Sequence, residues 1–212
     1  MWFNNYKHNA VRRKTAALGF MNRKNNMKSK WLILLLSFAV MSFSSPKDEA
    51  NQIESITAKT DSIKQVLNGN FKIYCKVNKN KILQVKDTAN WPENVEITYN
   101  LLLDSIGNLI KYVEIPTSES GDWNLELSYY FNKNGNLQKF VYSLSAFANE
   151  CTEILRDTRQ QYYKEKGNII YKNRFFTDAN FKPIDTTGCY VRDIEYNIYK
   201  NTKEIKSKYQ FK

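Results

Sequence analysis

Three glycine-asparagine pairs, Gly107-Asn108, Gly135-Asn136 and Gly167-Asn168, constrain this chain more than any other feature. Each lies between two runs in which apolar and polar residues alternate. Before Gly107, the residues Val95, Ile97, Tyr99, Leu101 and Leu103 alternate with Asn94, Glu96, Thr98 and Asn100. Leu125, Leu127, Tyr129 and Phe131 do the same before Gly135, and Phe140, Tyr142 and Leu144 after it. A period of two marks strands with one face toward a core and one toward water. Glycine supplies the positive φ of a tight hairpin between them. The glycines are 28 and 32 residues apart. A single hairpin cannot bury its own apolar face, so the units must join into one sheet.

Each unit carries a tyrosine before the glycine (Tyr99, Tyr129, Tyr162) and a lysine after it (Lys111, Lys139, Lys172). A fourth unit without glycine runs from Tyr196 through Asn201-Thr202 to Tyr209. Its last strand is residues 204–211, where Ile205, Tyr209 and Phe211 share one phase.

Residues 45–69 break this rhythm and read as a helix. Ser45-Pro46 offers an N-cap and a proline at the first helical position. Asp48 and Glu49 suit the positive end of the dipole. Ile53, Ile56, Ile63 and Val66/Leu67 give one apolar stripe, and Asn68-Gly69 ends the element. The expected fold class is therefore α+β: one N-terminal amphipathic helix packed on a single antiparallel up-and-down sheet of about seven to nine strands. Residues 70–212 supply the sheet and form one globular domain with the helix.

The net charge of +11 is unevenly spread. Residues 1–45 hold eight Lys and Arg and no acid, leaving 24 basic against 21 acidic residues in the rest. A body at +3 has no strong footprint for nucleic acid. Within the basic segment, Met27-Lys28-Ser29-Lys30 precedes "WLILLLSFAV" and then the small residues 41–45, the layout of a signal peptide over 27–44. The apolar stretch of 13 residues is short of the roughly 20 that span a membrane, so no stable span is expected after its removal. Ser42 and Ser44 suit cleavage near Ser44-Ser45. Residues 1–26 read as an over-extended start. The expected location is exported, periplasmic or secreted.

Export permits disulfides. Cys75 alternates with Phe71, Ile73 and Val77 and reads as a small buried hydrophobe. Cys151 and Cys189 sit at loop-strand junctions. A bridge between them would close a loop of 39 residues, worth about 4 kcal/mol in the chain-entropy model.

The stretch "YYFNKNGNLQKF" is similar to the Tyr-rich, Gly-Asn-punctuated hairpin repeats of MORN-like and related bacterial cell-envelope proteins. With the leading helix, residues 47–212 resemble uncharacterised exported bacterial proteins that lay one long helix on a wide antiparallel meander. The spacing is longer than in MORN repeats. The resemblance rests on three hairpin motifs and an order of elements, not on a catalytic signature, and no activity is carried over from it.

The chemistry is sparse. The only histidine, His8, lies in the N-terminal segment, which leaves the exported chain without Ser-His-Asp, Cys-His or His-zinc machinery. The three cysteines form no CxxC pair, and no metal site or cofactor is expected. Carboxylate chemistry stays open. Glu114, Glu119 and Asp122 read as one loop beside Trp123, which keeps a His-free glycan hydrolase as an alternative. Among the 14 Tyr, 12 Phe and 4 Trp, Tyr130, Tyr163 and Tyr199 fall out of phase with their core neighbours. They read as a band on an open sheet face, and with Trp123 as the binding residues. Tyr129 and Tyr142 read as core under the helix. The function expected is a non-enzymatic binding or structural module that meets a protein or glycan of the cell envelope. A further alternative is a lipocalin-like carrier of an apolar ligand, which requires the last strand to pair with residues 71–77.

Overall fold

The computed structural model describes residues 45–63, 70–165 and 167–211. The proposed leader segments 1–26 and 27–44, and the helix end at 64–69, lie outside the described residues.

Helix α1 (Pro46–Ile63) starts at a reciprocal cap. The Ser45 hydroxyl accepts from the Asp48 amide at 3.2 Å, and the Asp48 carboxylate accepts from the Ser45 hydroxyl at 2.8 Å and amide at 3.1 Å. The stripe it buries differs from the one expected. Ala50, Ile53 and Thr57 are buried, whereas Ile56 is 52% exposed. The side chain of Ile63, and Val66 and Leu67, lie outside the described residues.

Eight strands follow: β1 (Phe71–Val77), β2 (Lys81–Val85), β3 (Ile97–Leu103), β4 (Leu109–Pro116), β5 (Trp123–Phe131), β6 (Leu137–Asn149), β7 (Thr152–Tyr163) and β8 (Ile169–Thr177). They form one antiparallel sheet in the order β2-β1-β3-β4-β5-β6-β7-β8. The meander is unbroken from β3 to β8. At the other end the β1-β2 hairpin puts β2 on the edge, and the chain returns to pair β3 with β1. The architecture is α+β on a single unclosed sheet. No described helix is long and apolar enough to cross a membrane.

Gly107, Gly135 and Gly167 occupy the hairpin turns with φ of 87°, 76° and 80°. A register shift precedes each turn, at Leu102/Leu103, Tyr130/Phe131 and Tyr162/Tyr163. The fourth turn of this kind is not at Asn201-Thr202. It is at Asp178–Lys182, where the Asp178 amide donates to the Lys182 carbonyl and Phe181 takes the glycine position at φ 61°. A phenylalanine there hides the repeat from a search for glycine.

The residues 204–211, expected as a strand, are mostly helix: α2 spans Thr202–Tyr209. The Asn201 side chain accepts from the Lys203 and Glu204 amides, and Glu204 accepts in return from the Lys200 amide at 2.8 Å. Ile205 and Tyr209, four residues apart, share a helix face as readily as a strand face, which is why the alternation misled. The pairing with residues 71–77 required for a closed barrel is absent. β1 is flanked by β2 and β3, so the lipocalin-like reading fails.

Each sheet face carries a segment packed on it. The larger core holds Tyr74, Tyr99, Tyr112, Tyr129, Phe140 and Tyr142, and its cover is the C-terminal segment with Tyr196, Tyr199, Ile205, Tyr209 and Phe211. Tyr129 and Tyr142 are thus core residues under this segment and not under α1; their rings lie 5.4 Å from Tyr199 and 5.0 Å from Tyr196. The segment is anchored on the second hairpin. The Leu137 amide donates to the Lys200 carbonyl and the Thr202 amide to the Gly135 carbonyl, each at 2.9 Å. A Cβ on Gly135 would stand 2.6 Å from the Thr202 hydroxyl.

The opposite face carries a cross-strand row, Lys111-Tyr130-Lys139-Tyr162, each residue paired with the next across β4 to β7. Helix α1 lowers two carboxylates onto it. Asp61 takes the Lys111 ammonium at 2.6 Å and the Tyr130 hydroxyl at 3.0 Å. Glu54 takes the Lys139 ammonium at 2.6 Å and the Tyr162 hydroxyl at 2.8 Å. The lysines also stand over the Tyr130 ring, at 4.8 and 5.4 Å.

Candidate functional sites

The tyrosine band expected on an open face is not exposed. Tyr130, Tyr163 and Tyr199 are buried, at 6%, 6% and 7% exposure. Tyr130 lies under α1, where burial first and then Asp61 push its hydroxyl well above the usual tyrosine range. Tyr199 belongs to the C-terminal cover. Tyr163 donates to Gln161 at 2.8 Å and lines a cavity of about 660 Å³ between α1 and the third hairpin. Two of that cavity's charged residues pair, Lys164 with Glu49 at 3.3 Å.

The three acids near Trp123 do not share a loop. Glu119 is exposed. Asp122 is held by the hydroxyls of Ser120 and Ser118 and by the Arg192 guanidinium at 2.6 Å. The Ser120 hydrogen bond foremost, with Arg192 adding to it, keeps its carboxyl below the ordinary range. Glu114 is inside β4, in phase with Tyr112, at a core position of the sheet. Among the described residues these carboxylates have no hydrogen-bond partner in common.

Two other places gather chemistry. The first is at the end of the sheet where β6 turns into β7. Cys151 and Cys189 are joined there as a disulfide, with Cα atoms 5.9 Å apart, and Cys75 is a free buried thiol. The bridge brings the segment after Cys189 to the hairpin. Asn149 donates to the Tyr190 carbonyl at 2.9 Å and accepts from the Cys151 amide at 3.1 Å. Asp122, Phe147, Asn149, Glu150, Tyr190 and Arg192 line a groove of about 330 Å³. Phe147 and Tyr190 are 39% and 66% exposed there. Trp123 is half-buried, paired with Ala146 beside the groove, and packs on the aromatic core.

The second is a cavity of about 400 Å³ among β1 to β4 and α2, lined by Lys76, Ile82, Ile97, Tyr99, Glu114, Asn197, Lys208 and Tyr209 among others. Lys208 donates to the Tyr199 hydroxyl at 2.5 Å, and the Tyr199 and Tyr209 hydroxyls are 2.8 Å apart. Tyr209 and Tyr112 reach the two oxygens of Glu114 at 3.4 and 3.3 Å. Burial raises the Glu114 carboxyl above its ordinary range, against the lowering effect of Lys208 and these hydroxyls. Tyr99, wholly buried, has a hydroxyl without a partner of ordinary hydrogen-bond geometry, and Tyr209 is its polar neighbour.

Sequence reasoning missed Tyr190, Phe147, Lys76 and Lys208. Tyr190 was within reach, since a bridge at Cys189 places its neighbour beside Cys151. Lys208 was hidden by the strand reading of its segment. Glu114 carried a signal: an acid two residues from Tyr112, in the core phase. Comparison of the chain with protein-family models, with curated proteins and with solved structures finds no match in any of the three.

Proposed function

We propose that this chain is an exported, non-enzymatic binding module of the cell envelope, and that its contact surface is the disulfide-bonded end groove. The observation that carries this reading is the pair of exposed aromatic rings, Phe147 and Tyr190, set beside the Asp122–Arg192 ion pair and Asn149. Exposed ring faces next to planar hydrogen-bonding groups suit a glycan, which offers C–H faces and hydroxyls together. The disulfide holds the two sides of the groove in place, so little ordering entropy is spent on binding. The leader-like residues 27–44 support export, and the bridge is compatible with an oxidising compartment.

The test is retention on insoluble cell-wall glycan. Wild-type protein is expected to co-sediment. The double variant Phe147→Ser/Tyr190→Ser is expected to stay in solution with a melting temperature close to that of the wild type, because neither ring belongs to the buried core. Equal sedimentation of the two proteins would remove the groove from the account. Export is checked separately by fractionation: a mature N-terminus near Ser45 and one titratable thiol are expected, and three thiols in a cytoplasmic product would overturn it.

A further inference from the structure

We infer that the cavity at Glu114 is a binding site for a small organic anion with an apolar body, such as an aryl sulfonate or carboxylate. This does not depend on the end groove. Its apolar walls are Ile82, Ile97 and the rings of Tyr99 and Tyr209. Its charged groups are Lys76, Lys208 and Glu114, with Glu96 beside Lys76 and the hydroxyls of Tyr99, Tyr112, Tyr199 and Tyr209 around them. Lys76 is already paired with Glu96 at 2.7 Å. Lys208 is different: among the described residues no carboxylate forms an ion pair with it, and it rests over the Tyr199 and Tyr209 rings at 5.0 Å each. An ammonium in that setting has donors to spare, since the single bond to Tyr199 uses one of three. The buried Tyr99 hydroxyl, whose polar neighbour is Tyr209 and which has no partner of ordinary hydrogen-bond geometry, is a further donor.

The choice of an anion over a cation follows from the Lys208 ammonium, which forms no ion pair among the described residues and rests over two tyrosine rings. Glu114 is the cavity's acid, and burial among tyrosines favours its neutral form. When it is neutral, Lys208 is left uncompensated and the carboxyl becomes a donor. Ligand and proton then bind together. Affinity for an anion rises as pH falls through the Glu114 range, and affinity for a cation would do the reverse.

Benzenesulfonate, which stays anionic, and phenyltrimethylammonium serve as matched probes in calorimetry between about pH 5 and pH 8. Benzenesulfonate is expected to bind, and to bind more tightly at the acidic end. Lys208→Met should weaken it by about tenfold or more, the loss of one bond to a charged group. Lys76→Met, a second reporter if the first variant folds poorly, should weaken it less. Glu114→Gln should keep the tight affinity and lose the pH dependence. Failure of wild-type protein to bind benzenesulfonate would overturn the inference. So would binding of phenyltrimethylammonium that strengthens with pH, or a Lys208→Met protein that binds as wild type does.

Discussion

The two covers of the sheet hold on by different physics. The C-terminal segment is fixed by aromatic packing, with Tyr99, Tyr112 and Tyr129 meeting Tyr199, Tyr209 and Phe211 at centroid distances of 4.7 to 6.3 Å. Helix α1 is fixed by two carboxylates on a lysine-tyrosine row, with little apolar area in support: Ala50 and Ile53 against Tyr162, Ile170 and Tyr171. Aromatic burial is indifferent to salt and pH. Ion pairs respond to both. One sheet therefore presents a face whose cover rests mainly on apolar contact and a face whose cover rests mainly on charge.

The largest effect that would break this comparison is on the aromatic side. Tyr129→Ala should cost about 3–5 kcal/mol in chemical denaturation, as for a large buried aromatic, and the loss should be the same at low and high salt. Removing the bridge by Cys151→Ser/Cys189→Ser should cost about 2–4 kcal/mol, again without salt dependence. Gly135→Ala is expected to cost about 2 kcal/mol, from the positive φ and the clash with Thr202. Gly107→Ala, where nothing stands within 4 Å of the new Cβ, should cost about 1 kcal/mol. Gly135→Ala/Thr202→Ala should fall back to the Gly107 level, and a double variant no better than Gly135→Ala would show that contact with Thr202 is not the source of the extra loss.

The smallest effects are the most discriminating. Glu54→Gln leaves the Lys139 ammonium, 6% exposed, without its counter-charge. Because Glu54 itself is 49% exposed, the expected loss is about 1–2 kcal/mol, below that for a fully buried pair, and it should shrink in high salt. Acid titration separates the faces. Burial pushes the Glu54 carboxyl up, but Lys139 and Tyr162 bring it below its ordinary value. Its contribution is present above the unfolded carboxylate range and is lost as pH falls through the folded value. Glu114 has the opposite sign. Its folded value is raised, so its burial weighs on stability at neutral pH and is relieved as pH falls toward that value. Glu54→Gln should flatten the acid loss in the stability–pH curve, and Glu114→Gln should remove the gain. A curve unchanged by either variant would mean that neither carboxyl is placed as described.

What was legible in the sequence is the sheet. The strand alternation and the three glycines survive into the structure because hairpin geometry is a local property, written in φ and in phase. What covers the sheet was not legible. The stripe through Ile53 and Ile56 suggested an apolar dock, yet α1 is oriented by Glu54 and Asp61, whose partners lie on strands far away in sequence. Ile205 and Tyr209 fit two periods at once, and only the Asn201 cap, read together with Glu204, favours a helix. The same misreading exposed Tyr199 on paper and hid Lys208, so the candidate sites were less legible than the fold.

The contact between Tyr74 on β1 and Phe211 after α2, with ring centroids 4.8 Å apart, has a kinetic consequence. The first strand meets its final packing partner only when the segment beyond α2 arrives. Closing so long a loop is entropically expensive, and chains dominated by such contacts fold slowly. During vectorial emergence of the chain, N-terminus first, the aromatic face of the growing sheet stays bare until the last turn of α2 has followed. The interval before that arrival is when this protein is most exposed to aggregation.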